Sequence, residues 1–161
     1  MPYETLGEFI KAADAVGEVR YVEGADLDME VGCLTELTAE RNGPMLVFDR
    51  FPGFPPGYRI CSNVIRSARR FALAMELPLN LHPLKLLDLY RAKQRGQVPL
   101  PPKLEQDGAV LECVQKDGDI DIQRFPTPRW HTDDGGRYIG TADMVITRDP
   151  ETGWINTGVY R

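Results

Sequence analysis

The densest run of chemically capable side chains is PRWHTDDGGRY, residues 128 to 138. His131, Asp133 and Asp134 are types that ligate metals, because imidazole nitrogen and carboxylate oxygen both donate lone pairs to a cation. The same residues also suit a tight turn: Asp133 and Asp134 precede Gly135 and Gly136, and short acidic side chains there hydrogen-bond their own backbone. The spacing favours the turn. The chain has 2 histidines, and His82 directly precedes Pro83, on the N-cap side of an expected helix. A histidine-rich zinc centre is therefore excluded. There is no glycine-rich dinucleotide or phosphate loop and no Gly-x-Ser-x-Gly elbow. Ser62 and Ser67 have no histidine near them in sequence. Arg66, Arg69 and Arg70 could attract an anion, but at a helix start they read as a solvated face.

Cys33, Cys61 and Cys113 are odd in number, widely spaced and set among apolar residues. That pattern predicts free buried thiols in a reducing cytoplasm rather than a disulfide frame or metal site. The net charge of -5 argues against a nucleic-acid surface. No apolar run approaches the ~20 residues of a membrane span. The opening MPYETLGEFIKAADAVGE is acidic and amphipathic, unlike a signal peptide.

The elements that must position these residues fall into two regions. Leu6, Phe9, Ile10, Ala13 and Val16 recur at helical steps, with Gly17 closing the pattern. EVRYV (18 to 22) predicts a strand. Asp26 or Asp28 is expected to cap a second helix through MEVGCLTELTAER, which ends at Gly43-Pro44. MLVFDRF (45 to 51) predicts a buried strand, PGFPPGY a turn and RICSNVI a further strand. RSARRFALAMEL and HPLKLLDLYRAKQRG predict helices, with Phe71, Ala74 and Met75 inward on the first and Leu86, Leu89 and Tyr90 inward on the second. Interleaved strands and helices make residues 1–95 an α/β domain.

Residues 96–108, GQVPLPPKLEQDG, read as a linker, since three prolines in a polar stretch continue neither helix nor central strand. Beyond it the pattern turns to β. AVLECVQKDGDIDI predicts two strands around a turn at Lys116–Asp119. RYIGTADMVITRDPETGWINTGVYR predicts two strands around DPETG. Three or four strands can start a barrel but not close one. The overall class is α+β.

The sequence resembles the UbiD-type decarboxylases that use prenylated FMN. The resemblance rests on FPTPRWHTDDGGRYIGTADMVITRDPETGWINTGVYR (125 to 161), and on LGEFIKAADAVGEV and DLDMEVGCLTELTAERNGPMLVFD earlier in the chain. Members of that family are about three times longer. The resemblance therefore implies an N-terminal domain (1–95), a linker (96–108) and the opening strands of a flavin-binding split β-barrel (109–161), with the chain's last strand unfinished.

The resemblance also implies a site on NTGVYR. Asn156 would offer its amide oxygen to a divalent metal, usually manganese (or magnesium), beside the cofactor phosphate; a hard cation wants such an oxygen. The backbone carbonyl of Thr157 would help to hold potassium in some relatives. Val159 and Tyr160 would pass along the flavin. Arg161 would be the arginine of a glutamate–arginine–glutamate network at the reacting centre, where a guanidinium fixes a carboxylate by two bonds. Without the family, Arg161 would read as a surface arginine at a strand end. Asn156 and Arg161, five apart, point to opposite faces of a regular strand, so a bulge is expected near Gly158.

The implied reaction is reversible non-oxidative decarboxylation of an aromatic or α,β-unsaturated carboxylic acid, with the cofactor taking up the electrons that CO2 leaves behind. The proton donor and the remaining metal ligands, a histidine and a glutamate, would lie beyond Arg161. The implied assembly is a dimer or hexamer of the full-length protein. Two alternatives stay open: a flavin- or metal-binding accessory subunit, and a non-catalytic assembly module.

Overall fold

The computed structural model describes residues 3–140 and 143–160. Helix α1 (Leu6–Ala15) starts where expected: Thr5 Oγ1 accepts from the Glu8 amide at 3.2 Å, and Glu8 Oε2 accepts from the Glu4 amide at 2.8 Å. This reciprocal pair satisfies amides that a helix start would leave unpaired. Phe9, Ile10 and Ala13 form its buried face.

Strand β1 (Val19–Glu23), helix α2 (Glu30–Glu40) and strand β2 (Met45–Asp49) make a parallel crossover with Val19 opposite Met45. Strand β3 (Ile60–Ser62) then pairs antiparallel to β2, giving the order β1-β2-β3. The central strand is buried on both sides. Leu46 and Phe48 join Ala25, Leu27, Val31 and Phe51 on one face, while Met45 and Val47 meet Phe9, Ile10 and Ala13 on the other. A continuous apolar strand is what two covered faces require.

Helices α3 (Ala68–Ala74) and α4 (Pro83–Arg95) close this region. His82 caps α4 as expected, its Nδ1 accepting from the Leu84 amide at 3.3 Å. Phe71 and Tyr90 hold the two helices edge to face, with centroids 5.2 Å apart. The arginine group departs from expectation, because Arg70 is one of the most buried residues, 1% exposed. Its guanidinium donates to Glu18 Oε2 at 2.7 Å and to the carbonyls of Gly43 and Asn63, both at 3.2 Å. A buried charge persists only when so paired.

The start of α2 also departs. Its N-cap is Met29 at φ +79°, with no side-chain cap. Asp26 instead accepts from the Asp28 amide at 2.8 Å, and the Asp28 carboxylate turns to Arg129 at 2.6 Å.

Residues 96–108 carry no helix or strand. The two strands expected over 109–122 do not form; single 3-10 turns stand at Ala109–Leu111, Asp117–Asp119 and Ile122–Arg124. Val110, Val114, Ile120 and Ile122 are exposed there, so the apolar residues that suggested strands have no sheet to join. Asp121 accepting from the Gln123 amide at 2.9 Å favours a local turn. Strands β4 (Met144–Arg148) and β5 (Ile155–Val159) form the second, two-stranded antiparallel sheet around Asp149–Gly153, as expected. The class is α+β.

The thiols are a correction. Cys33 and Cys113 are exposed, and only Cys61 is half-buried. Cys33 lies on the outer side of α2, and Cys113 in the stretch that packs against little. Burial pushes the Cys61 thiol up to about 11. No helix among the described residues is long and apolar enough to cross a membrane.

Candidate functional site

The β4–β5 turn is held by one carboxylate. Asp149 Oδ1 accepts from the amides of Glu151 (2.9 Å) and Thr152 (2.7 Å) and from the Thr152 hydroxyl (3.0 Å). The Thr152 bonds, then that from Glu151, hold the Asp149 carboxyl below its ordinary value. Gly153, at φ +72°, closes the turn by donating to the Asp149 carbonyl at 3.0 Å.

From there the ladder runs without interruption, pairing Arg148 with Ile155, Thr147 with Asn156, Ile146 with Thr157, Val145 with Gly158 and Met144 with Val159. The bulge expected near Gly158 is absent, since an extra residue would break this constant register. Glycine has another use here. A Cβ on Gly158 would lie 2.6 Å from Tyr160 Cε2 and 3.0 Å from its hydroxyl. The Tyr160 ring folds back across this gap, and its hydroxyl accepts from Asn156 Nδ2 at 3.4 Å. Asn156, Gly158 and Tyr160 thus share one face, while Thr157 and Val159 alternate to the other. Arg161 lies outside the described residues.

Of the residues singled out on this strand, the structure brings together Asn156 and Tyr160 and puts Val159 opposite. An amide oxygen such as that of Asn156 is a ligand type that suits a hard cation. Among the described residues no group of three His, Cys, Asp or Glu side chains could hold a metal.

The 128–138 segment takes the turn form. Asp134 Oδ2 accepts from the amides of Trp130 (3.2 Å) and His131 (3.0 Å), and the Tyr138 amide donates to the Pro128 carbonyl at 3.2 Å. His131 is turned away, its Nδ1 3.9 Å from Glu36. An open cleft of about 450 Å3 lies beside this segment, lined by Ile122, Gln123, Phe125, Thr127, Arg137 and Ile139. The sequence offered no sign of it, because its walls come from two separate turns, and it includes none of residues 156–160.

Residues 10–89 match the model of the 3-octaprenyl-4-hydroxybenzoate carboxy-lyase N-terminal domain, and residues 103–161 that of the carboxy-lyase Rift-related domain. The chain belongs to the UbiD family. This UbiD-family chain is 31% identical over 143 residues to a pyrrole-2-carboxylic acid decarboxylase of Pseudomonas aeruginosa, covering 84% of its own length and 29% of the relative's. It is 30% identical over 169 residues to a phenolic acid decarboxylase of a Streptomyces species, covering 100% of its own length and 35% of that protein's. Among solved structures it is similar to the vanillic acid decarboxylase of Sedimentibacter hydroxybenzoicus in open form, with a TM-score of 0.76 at 26% identity. That match covers 98% of this chain and 34% of the other. The UbiD-family chain spans about a third of the length of the relatives it matches.

Proposed function

We propose that this UbiD-family chain is the N-terminal part of a reversible non-oxidative carboxy-lyase for an aromatic or α,β-unsaturated carboxylic acid, working with prenylated FMN. The observation that carries the reading is the Asn156–Gly158–Tyr160 face, which lies inside the segment matching a carboxy-lyase model. Residues 1–95 form the N-terminal domain in this reading, 96–108 the linker, and 109–161 the start of a split barrel that binds the flavin. The decarboxylase names of the relatives support the reaction class.

The residues take distinct roles. Asn156 presents its amide oxygen to a manganese or magnesium ion, and its Nδ2 bond to Tyr160 fixes which way that oxygen points. The Tyr160 ring, folded close to Gly158, and Val159 line the path of the flavin. The Thr157 carbonyl is offered to a potassium ion. Arg161 orients the substrate carboxylate through two parallel donors. The bound cofactor would supply the electron sink that an sp2 carbon losing CO2 needs. In this reading the whole protein assembles as a homo-oligomer.

The test uses the whole gene product that carries this chain, loaded with prenylated FMN and manganese and offered aromatic and unsaturated acids. CO2 release is expected, with Arg161→Ala abolishing it while flavin stays bound, and Asn156→Ala weakening retention of the metal. Absence of both flavin binding and CO2 release would overturn the enzyme reading in favour of an assembly module, whereas flavin binding without CO2 release from any acid would favour an accessory subunit.

A further inference from the structure

Three independent observations converge on the start of α2. Met29 sits at φ +79° and ψ -36°, a strained region for a residue with a side chain. Its amide donates to the Arg129 carbonyl at 3.0 Å, and the Arg129 amide donates to the Leu27 carbonyl at 2.9 Å, a parallel bridge across about a hundred residues of chain. Gly32, one turn on, is pressed against the same segment: a Cβ there would overlap the Trp130 carbonyl oxygen and lie 2.7 Å from its carbon. The Asp28 carboxylate receives Arg129 Nε at 2.6 Å, and the Trp130 ring packs onto the cluster of Ala25, Leu27, Val31, Leu46, Phe48 and Phe51.

Strained backbone, a glycine with no spare room and a two-way bridge are costly features for a mere loop contact. Strain of this kind persists where the surroundings over-determine a geometry that is used. The docked segment ends at Tyr138, whose carbonyl accepts from Trp130 Nε1 at 3.5 Å, and β4 begins six residues later at Met144. A chain of that length reaches at most about 20 Å, so the place of Tyr138 limits where the hairpin starts.

We propose that the Asp28–Gly32 turn is a positioning latch: it holds residues 128–138 on the β1–β2–α2 core and so sets the hairpin that presents Asn156 and Tyr160. The positioning role, though not the latch itself, rests on the reading of that hairpin as the cofactor-facing strand pair.

The experiment is amide hydrogen exchange on the whole gene product, with and without bound flavin mononucleotide. Alanine normally favours a helix over glycine, so damage from Gly32→Ala would reflect lost docking space. In Gly32→Ala the amides of Met29, Arg129 and Tyr138 are expected to exchange faster by about tenfold or more, with β1 and β2 unchanged. Amides of the β4–β5 hairpin should speed up too, and the circular dichroism of the bound flavin should change. Met29→Gly, which accepts a positive φ freely, is expected to slow exchange at Arg129. The exchanged pair Asp28→Arg with Arg129→Asp should restore protection that either single change loses.

Unchanged exchange at Met29 and Arg129 in Gly32→Ala overturns the latch. If Gly32→Ala unfolds α2 itself, Arg129→Ala decides: acceleration spread evenly over β1 and β2 overturns the latch as well. An open latch with hairpin exchange and flavin signal unaltered overturns the positioning role. Failure of the unaltered protein to bind flavin overturns the proposed function instead, and leaves the exchange result at Arg129 to be judged by itself.

Discussion

Residues 3–95 and the β4–β5 hairpin solve the same problem in opposite ways. In the first region β2 buries both faces, and even a guanidinium, Arg70, is taken inside because Glu18 and two carbonyls meet it. In the second, Met144, Ile146, Trp154, Val159 and Tyr160 are all exposed, and the hairpin is held by its ladder and by Asp149. A two-stranded ribbon buries no face by itself and is marginal in water. The contrast separates a part held by its own buried core from a part held by its ladder and its turn. The candidate site sits on the second kind of structure.

Substitutions should break or sharpen that contrast in proportion to burial. The largest effect belongs to Arg70→Ala, which strands Glu18 without its closest partner; a loss of about 3–5 kcal/mol is expected in thermal or denaturant unfolding. A much smaller loss would show that water reaches the pair. In the hairpin the strongest single change is Asp149→Ala, which deletes three turn bonds. The loss should be seen as faster exchange of the Thr152 and Glu151 amides, with β2 untouched.

Thiol chemistry draws the same line. The half-buried Cys61, pushed up to about 11 by burial, should react with iodoacetamide about tenfold more slowly than an unperturbed thiol, its smaller thiolate fraction being partly offset by a more nucleophilic thiolate. Cys33 and Cys113, being exposed, should label first. Equal labelling of all three would mean that the α/β unit opens readily.

Acid should loosen the bridge between the regions by less. The bond from Arg129 holds the Asp28 carboxyl below 3.8, with Arg137 adding a weaker attraction. A depressed folded-state value means that the contribution is present above 3.8 and is lost as pH falls through the lower folded value. Exchange at Arg129 should therefore be flat from neutral pH down to about 4, after correction for intrinsic rates, and rise below it. In Asp28→Asn that rise should vanish. The smallest effect is Ile146→Ser, expected to fall within about 0.5 kcal/mol where the hairpin face is open to solvent. A larger loss in the whole gene product would show that something covers this face.

Much of this was legible in the chain. The α1 periodicity, the apolar run of β2, the His82-Pro83 start of α4 and the DPETG hairpin each follow from a local rule that acts within one element. The helix of residues 30–40 was legible too, but not its cap, because Asp28 is claimed by Arg129 from far along the chain. Residues 109–122 misled, since apolar residues make a strand only when another strand is there to pair with them. The expected bulge at Gly158 does not form, because the pairing keeps one register, and glycine there instead leaves room for the Tyr160 ring.

The sequence by itself determined the kinds of element, their order, the turn at Asp149 and, through NTGVYR and its neighbours, the family. Only the tertiary structure decided that Arg70 goes inside, that Tyr160 reaches Asn156 across Gly158, and that Trp130 is docked on Gly32. The physical reason is range. Periodicity, caps and turns are set by residues within a few positions, whereas burial of a charge and close approach of two backbones depend on partners dozens of residues away, which no local pattern names.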